Sequence, residues 1–279
     1  MHPVIFRIGA FELRSYGLAL AVSFLVGIIY AIKRGEKRGV SSNTIMDLAV
    51  LIVVGAIVGS RFLYVIAHTA EFKGRWLDTI NPFQSTGQIG IAGLTMLGGL
   101  ILASILSIIY LYIKKLPVLK IADVIIPSVG IGIFITRIGC FLNGCCFGLP
   151  CNSPLGVIFP PESVAGDLFP NTPIHPAQLY SSFYGLVIWG ALILIEKFKK
   201  FDGLLLFSFL ILYGSARFIV DFYRYYEDSM VLVRLGKQPI SVNQGISLGL
   251  VLLGIILIII FNYYNRNRNT EPETKDQSR

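Results

Sequence analysis

Seven stretches of the chain are almost free of charge and rich in Leu, Ile, Val and Phe: Ser15–Ile32, Ile45–Ala67, Ile89–Ile113, Ile121–Phe141, Pro176–Ile195, Gly203–Tyr223 and Pro239–Tyr264. As a helix, each is long enough to cross the roughly 30 Å of hydrocarbon in a bilayer. The pattern predicts an all-α polytopic membrane protein with seven transmembrane helices. Basic residues gather in alternate connections: Lys33, Arg34, Lys37 and Arg38; Lys114, Lys115 and Lys120; Lys197, Lys199 and Lys200; Arg266, Arg268, Lys275 and Arg279. These connections hold 14 of the 24 Lys and Arg residues, which puts them in the cytoplasm and the N-terminus outside. An odd number of spans leaves the polar tail, 265–279, inside, with the composition of a disordered segment. The expected organisation is one membrane domain, 1–264, with external segments 143–173 and 224–238 as a small cap.

Composition agrees with this reading. Of 279 residues, 54% are hydrophobic and only 14% charged, against about 25% charged in a typical soluble domain. The mean hydropathy is +0.70. The net charge of +8 would suggest nucleic acid on a soluble protein, but no basic stripe with interleaved aromatics lies outside the spans. Nucleic acid is therefore excluded as a partner, and the charge fits cytoplasmic loops and anionic lipid headgroups. Met1–Arg14 has no basic cluster, and the first apolar run ends in Lys33-Arg34 rather than at small residues, so no cleavable signal peptide is expected. There is no internal repeat, and the paired broken helices typical of transporters are not seen.

Against this background the charges inside spans stand out. Arg137 follows the apolar run Val124–Thr136 and precedes Gly-Cys-Phe-Leu-Asn-Gly-Cys-Cys-Phe-Gly. A guanidinium stays charged at any relevant pH, and at membrane depth it costs roughly 2.5–3.5 kcal/mol on insertion scales. A counter-charge or an anionic ligand must offset that cost. In the sixth span Tyr213, Arg217, Asp221 and Arg224 fall on one helical face about 80° wide. One reading is a self-neutralising pair of Arg217 and Asp221; it leaves Arg137 and Arg224 unpaired. The other is a cationic pocket for a phosphate, which suits the planar, bidentate fork of arginine.

Other residues carry two readings each. Asp123, too far along its helix to touch Arg137, either caps the helix end or serves the site. His175 caps the fifth span, with Pro176 in the first helical turn, or supports a site with Gln178 and Tyr180. Gly98-Gly99 allows close packing of a helix or a lipid. Cys140, Cys145, Cys146 and Cys151 follow a C-x4-C-C-x4-C spacing that matches no recognised zinc pattern. Disulfides or inert thiols, a redox or nucleophilic role, and a metal remain open for them.

Seven motifs occur in order along nearly the whole chain: Ser15-Tyr16-Gly17; Gly59-x-Arg61-x-x-Tyr64-Val65; Gly93-Leu94 with Gly98-Gly99-Leu100; Arg137-Ile-Gly-x-Phe-x-Asn143-Gly144 with Gly148; His175-Pro-x-Gln178-Leu-Tyr180; Tyr213-Gly-x-x-Arg217-Phe-x-x-Asp221-Phe-x-Arg224; and Gln244-x-x-Ser247. In this the chain resembles prolipoprotein diacylglyceryl transferase, a bacterial seven-span enzyme family. It departs at three positions: Leu97 where members carry His or Tyr before the Gly-Gly, Cys140 where Asn is common, and Ser181 where Glu is common.

The resemblance implies transfer of a diacylglyceryl group from phosphatidylglycerol to the lipobox cysteine of a preprolipoprotein signal peptide. Glycerol 1-phosphate is released, in the cytoplasmic (inner) membrane with the site towards the outer leaflet. No metal or organic cofactor is implied. Arg137 and Arg217 are the implied phosphate clamp, and Tyr16, Asn143 and His175 join them as catalytic candidates. Arg61, Tyr64, Gly98, Gly99 and Gly148 are implied in binding the lipid; Asp123, Gln178, Tyr180, Tyr213, Asp221 and Arg224 support them. The family histidine proposed as general base is replaced by Leu97, leaving His175, Tyr16 or a bound water for that task. A relative that binds anionic lipid or signal peptide without catalysis is the alternative.

Overall fold

The computed structural model describes residues 3–8, 11–72, 79, 95–226, 231–235 and 238–270. In chain order the helices are α1 (Ser15–Lys37), α2 (Ser42–Ala67), α3 (Met96–Ile113), α4 (Val118–Asn143), the short α5 (Val164–Leu168), α6 (Ala177–Glu196), α7 (Leu204–Asp221) and α8 (Val242–Thr270). All but α5 are long and apolar enough to cross a membrane, so seven spans stand where the hydropathy pattern puts them. A helix suits hydrocarbon because every interior backbone N–H and C=O is satisfied within the segment. Leu25, Val54, Ile108, Phe183 and Ile259 point outward, as a lipid-facing surface requires.

Between the spans lie smaller elements that the hydropathy pattern does not reveal. Strands β1 (Val4–Ile8) and β2 (Phe11–Arg14) form one two-stranded sheet. Strands β3 (Val231–Leu235) and β4 (Gln238–Ser241) form an antiparallel second one. The 3-10 turn Thr69–Phe72 follows α2. Helix α8 continues to Thr270, past the expected start of the polar tail. The rest of that tail, 271–279, lies outside the described residues, as do the start of the expected third span at 89–94 and Lys73, Arg75 and Lys237.

The chain divides into two compact units, Phe6–Glu12 with Ala31–Ile121, and Met1–Ile5 with Leu13–Tyr30 and Ala122–Arg279. In the first, α2 and α3 meet along small residues. A Cβ at Gly98 would lie 2.3 Å from the carbonyl oxygen of Gly59 and 2.5 Å from Cβ of Leu63. Thr95 locks the seam by donating its hydroxyl to the Ser60 carbonyl at 3.0 Å. Gly98-Gly99 is thus a helix-packing pair. Gly98→Ala is expected to destabilise the protein by about 1–3 kcal/mol through this overpacking. Gly249→Ala, where an added Cβ meets nothing within 4 Å, should stay within about 0.5 kcal/mol. Thermal unfolding of both variants in detergent checks the contrast.

In the second unit Tyr184, Ile188 and Leu192 of α6 pack against Leu205 and Val220 of α7. Asp123 of α4 ties the far end of this core. Its carboxylate accepts from the backbone N–H groups of Gly203 at 2.8 Å and Leu206 at 3.0 Å, and pairs with Lys199 at 2.9 Å. Asp123 therefore caps α7 rather than its own helix. Burial disfavours the Lys199 ammonium, yet hydrogen bonds to Asp202 and Asp123 hold it above its ordinary pKa. Phe147, Phe159, Ala165 and Ile174 form a separate apolar pad in the connection between α4 and α6.

Candidate active site

The polar centre of the second unit is built on Asp221, the last residue of α7. Its Oδ1 lies 3.2 Å from Nη2 of Arg217, one helical turn back, so the local ion pair is present. The same oxygen accepts from the Tyr226 hydroxyl at 2.9 Å, and Oδ2 accepts from the Ser241 hydroxyl at 3.1 Å. Tyr226 in turn accepts a 2.6 Å bond from Arg217 Nη2. Ser241 and Gln244 form a capping box at the start of α8, the Ser241 hydroxyl accepting from the Gln244 N–H at 3.1 Å and Gln244 Oε1 from the Ser241 N–H at 2.9 Å. The Arg217 head is thereby held by α7, by the segment after it and by the start of α8. Burial pushes the Tyr226 phenol up to about 12, against the pull of Arg224 and Arg217, so it stays a neutral hydroxyl that both accepts and donates.

Among the described residues, Nη1 of Arg217, Nε of Arg224 and Oε1 of Gln178 are buried without a hydrogen-bond partner. Buried polar groups left unpaired cost about 1–3 kcal/mol each, so such a group calls for an explanation. Arg137, in the last two turns of α4, forms no ion pair with a carboxylate among the described residues. Tyr184 of α6 lies within electrostatic reach of both Arg137 and Arg217, and its ring stands edge-on to Tyr213 with centroids 6.2 Å apart. Three helices thus contribute two guanidiniums and a phenol to one region.

The turn after α4 closes this region. Gln178, fully buried, donates from Nε2 to the Cys145 carbonyl at 2.8 Å. The Gly148 N–H donates to the His175 carbonyl at 3.0 Å, and the Leu149 N–H to the Tyr223 carbonyl at 2.9 Å. A Cβ at Gly148 would lie 2.5 Å from both of those carbonyl oxygens, so packing alone requires glycine there. His175 does not cap α6: Pro176 takes the N-cap position, and the His175 ring instead pairs its Nδ1 with the Tyr180 hydroxyl at 3.1 Å. Arg224 lies beyond the end of α7, bridged to Gly148, and stacks over Tyr226 at 5.2 Å. Tyr16, exposed at the start of α1, is within electrostatic reach of Arg137, Cys140, Cys145 and Cys146. Asn143 is the last residue of α4, beside Cys145.

The first unit holds Arg61 and Tyr64. Arg61 is buried, donates from Nε to the Thr79 carbonyl at 2.9 Å and sits 5.8 Å over the Tyr64 ring and 5.1 Å over Phe72. Leu97 is exposed at the start of α3. Tyr184 and Tyr226 carry no motif, and sequence reasoning passes over both. The only signal for Tyr184 is its i,i+4 relation to Tyr180 on α6.

Seven apolar helices, with buried arginine, tyrosine and carboxylate groups on α4, α6 and α7, define a polytopic membrane protein with a polar site. A family model described as prolipoprotein diacylglyceryl transferase matches residues 3–260. Relatives named phosphatidylglycerol–prolipoprotein diacylglyceryl transferase include that of Clostridium tetani, 31% identical over 93% of this chain and 98% of its own length. That of Campylobacter lari is 32% identical over 95% and 93%, and that of Synechocystis 30% over 98% and 94%. The chain belongs to the prolipoprotein diacylglyceryl transferase family.

Proposed function

We propose that this protein transfers the diacylglyceryl group of phosphatidylglycerol to the thiol of a lipobox cysteine in a preprolipoprotein. The reaction forms a thioether and releases glycerol 1-phosphate. The observation that carries this reading is the pair of guanidiniums within electrostatic reach of Tyr184, with no carboxylate paired to Arg137 and no acceptor on Nη1 of Arg217 among the described residues. The thiol gives its proton to water, its sulfur attacks the glycerol carbon, the bond from that carbon to the phosphate ester oxygen breaks, and that oxygen leaves with the electron pair. Negative charge builds on the phosphate as the bond breaks, and fixed donors aimed there stabilise the transition state more than the ground state. Arg137 and Arg217 act as the clamp, and Asp221, Tyr226 and Arg224 hold it in place. Tyr16 and Asn143 orient the headgroup, while His175, Gln178 and Tyr180 support the turn after α4.

The basic connections support an arrangement with the N-terminus, the turn after α4 and strands β3 and β4 on the outer side of a bacterial cytoplasmic membrane. Donor lipid and acceptor signal peptide, both apolar, then enter sideways from the bilayer. The test is direct: vesicles of phosphatidylglycerol, the purified protein and a lipobox peptide. The peptide should gain the mass of one diacylglyceryl group as one glycerol phosphate appears. Lipid or peptide binding with neither product would sink the transferase reading and leave a non-catalytic binder.

A further inference from the structure

The thiols of Cys140, Cys145 and Cys146 converge, their three sulfur atoms lying within 4.8 Å of one another. Cys140 comes from the last turn of α4, and the tandem pair from the turn that follows it. Cys146 takes a φ of +60°, in the left-handed region that costs a non-glycine side chain energy. The turn is fixed independently of any ligand, by the Cys145 N–H on the Cys140 carbonyl at 3.1 Å and by the buried Gln178 on the Cys145 carbonyl. Arg137 and Arg224 are within electrostatic reach of Cys146, and Cys151 is not part of the group.

We propose that Cys140, Cys145 and Cys146 form a three-sulfur site for a soft divalent cation of the zinc class, whose fourth position receives the acceptor cysteine as a thiolate. This deepens the transferase reading and rests on it. Zinc–thiolate bonds of about 2.3 Å in a tetrahedron place the sulfurs about 3.8 Å apart, a small contraction of the present cluster. An all-sulfur set selects zinc-like ions over magnesium or calcium. Three thiolates around a divalent ion carry one net negative charge, and a fourth brings it to two, set against Arg137 and Arg224. A disulfide would use only two of the three sulfurs and place no negative charge beside Arg137.

Three protein ligands with one open position is the arrangement of a catalytic rather than a structural zinc. On coordination the acceptor thiol releases its proton to water, since a metal-bound thiol is deprotonated outright. Its sulfur lone pair then forms the bond to the glycerol carbon while the C–O bond breaks towards phosphate. The neutral thioether is a weak ligand and leaves. The site thereby supplies the thiolate that a side-chain base would otherwise generate, and which Leu97 cannot.

The probes are zinc and cobalt(II), added to the reduced, chelator-treated, full-length protein in detergent. One zinc per chain should bind, and cobalt should give sulfur-to-metal charge-transfer absorption. Cys140→Ser, Cys145→Ser and Cys146→Ser should each weaken binding at least tenfold, and Cys151→Ser should not change it. A lipobox peptide should shift the cobalt d–d bands, whereas a peptide with Ser at the lipobox position should not. No metal uptake by the native protein, or a mass deficit of two hydrogens showing a disulfide, overturns the proposal. So does full transfer by the chelated enzyme, an outcome that leaves the transferase reading intact. Loss of transfer in zinc-loaded protein with normal cobalt spectra would instead count against the transferase reading alone.

Discussion

Arg137→Ala is expected to lower transfer by about 10²–10³-fold, the typical effect of removing one preorganised donor from a developing oxyanion. Arg137→Lys should lose most of that as well, because an ammonium keeps the charge but cannot present two parallel N–H groups to a phosphate. The diagnostic lies in pairing this loss with stability. Arg137 forms no ion pair with a carboxylate among the described residues, so among them its removal leaves no carboxylate stranded. In the metal-free protein the Ala variant should therefore unfold close to the native temperature, because no carboxylate of the described residues loses its partner. Product mass and a melting curve on the same preparation decide the matter. Normal turnover by both variants would end the clamp, and a large drop in melting temperature would make Arg137 a structural residue.

What was legible in the sequence follows from how local each cause is. The seven spans were legible because crossing hydrocarbon is a one-dimensional demand for length and apolarity. Arg217 with Asp221 was legible because an i,i+4 pair needs only one helix. Asp123 was half legible: a carboxylate near a helix end suggests a cap, but the amide it caps at Gly203 is 80 residues away. The periodic face in the sixth span ran on to Arg224, yet α7 stops at Asp221. It stops where the carbonyl of Tyr223 turns to the Leu149 N–H, a partner from a distant loop. Tyr226 meets Arg217 and Asp221 from beyond the end of α7, and Tyr184 of α6 lies within electrostatic reach of residues on α4 and α7; no spacing encodes either meeting. The cysteines show the same limit, since their linear pattern matches no metal motif while the turn after α4 gathers three of them.

Asp221→Ala should be the most destabilising of the site substitutions, by about 3–5 kcal/mol, the usual consequence of stripping the partner from a buried charge. Asp221 receives Arg217 at 3.2 Å, Tyr226 at 2.9 Å and Ser241 at 3.1 Å, so its loss leaves one cation and two hydroxyls to find new partners. Asp221→Asn keeps an acceptor oxygen for Tyr226 and should cost less than the Ala variant. A second substitution separates stability from catalysis. Replacing both members of a buried pair with apolar groups of similar volume is often neutral, so Arg217→Met combined with Asp221→Ala should regain much of the lost melting temperature. Transfer should not return, because the clamp then has one arm. If the double variant regains activity along with stability, Arg217 serves only the fold, and the phosphate must be held by Arg137 and other donors. If Asp221→Ala alone melts like the native protein, the network around Arg217 contributes no appreciable stability, and Asp221 does not hold the guanidinium in place.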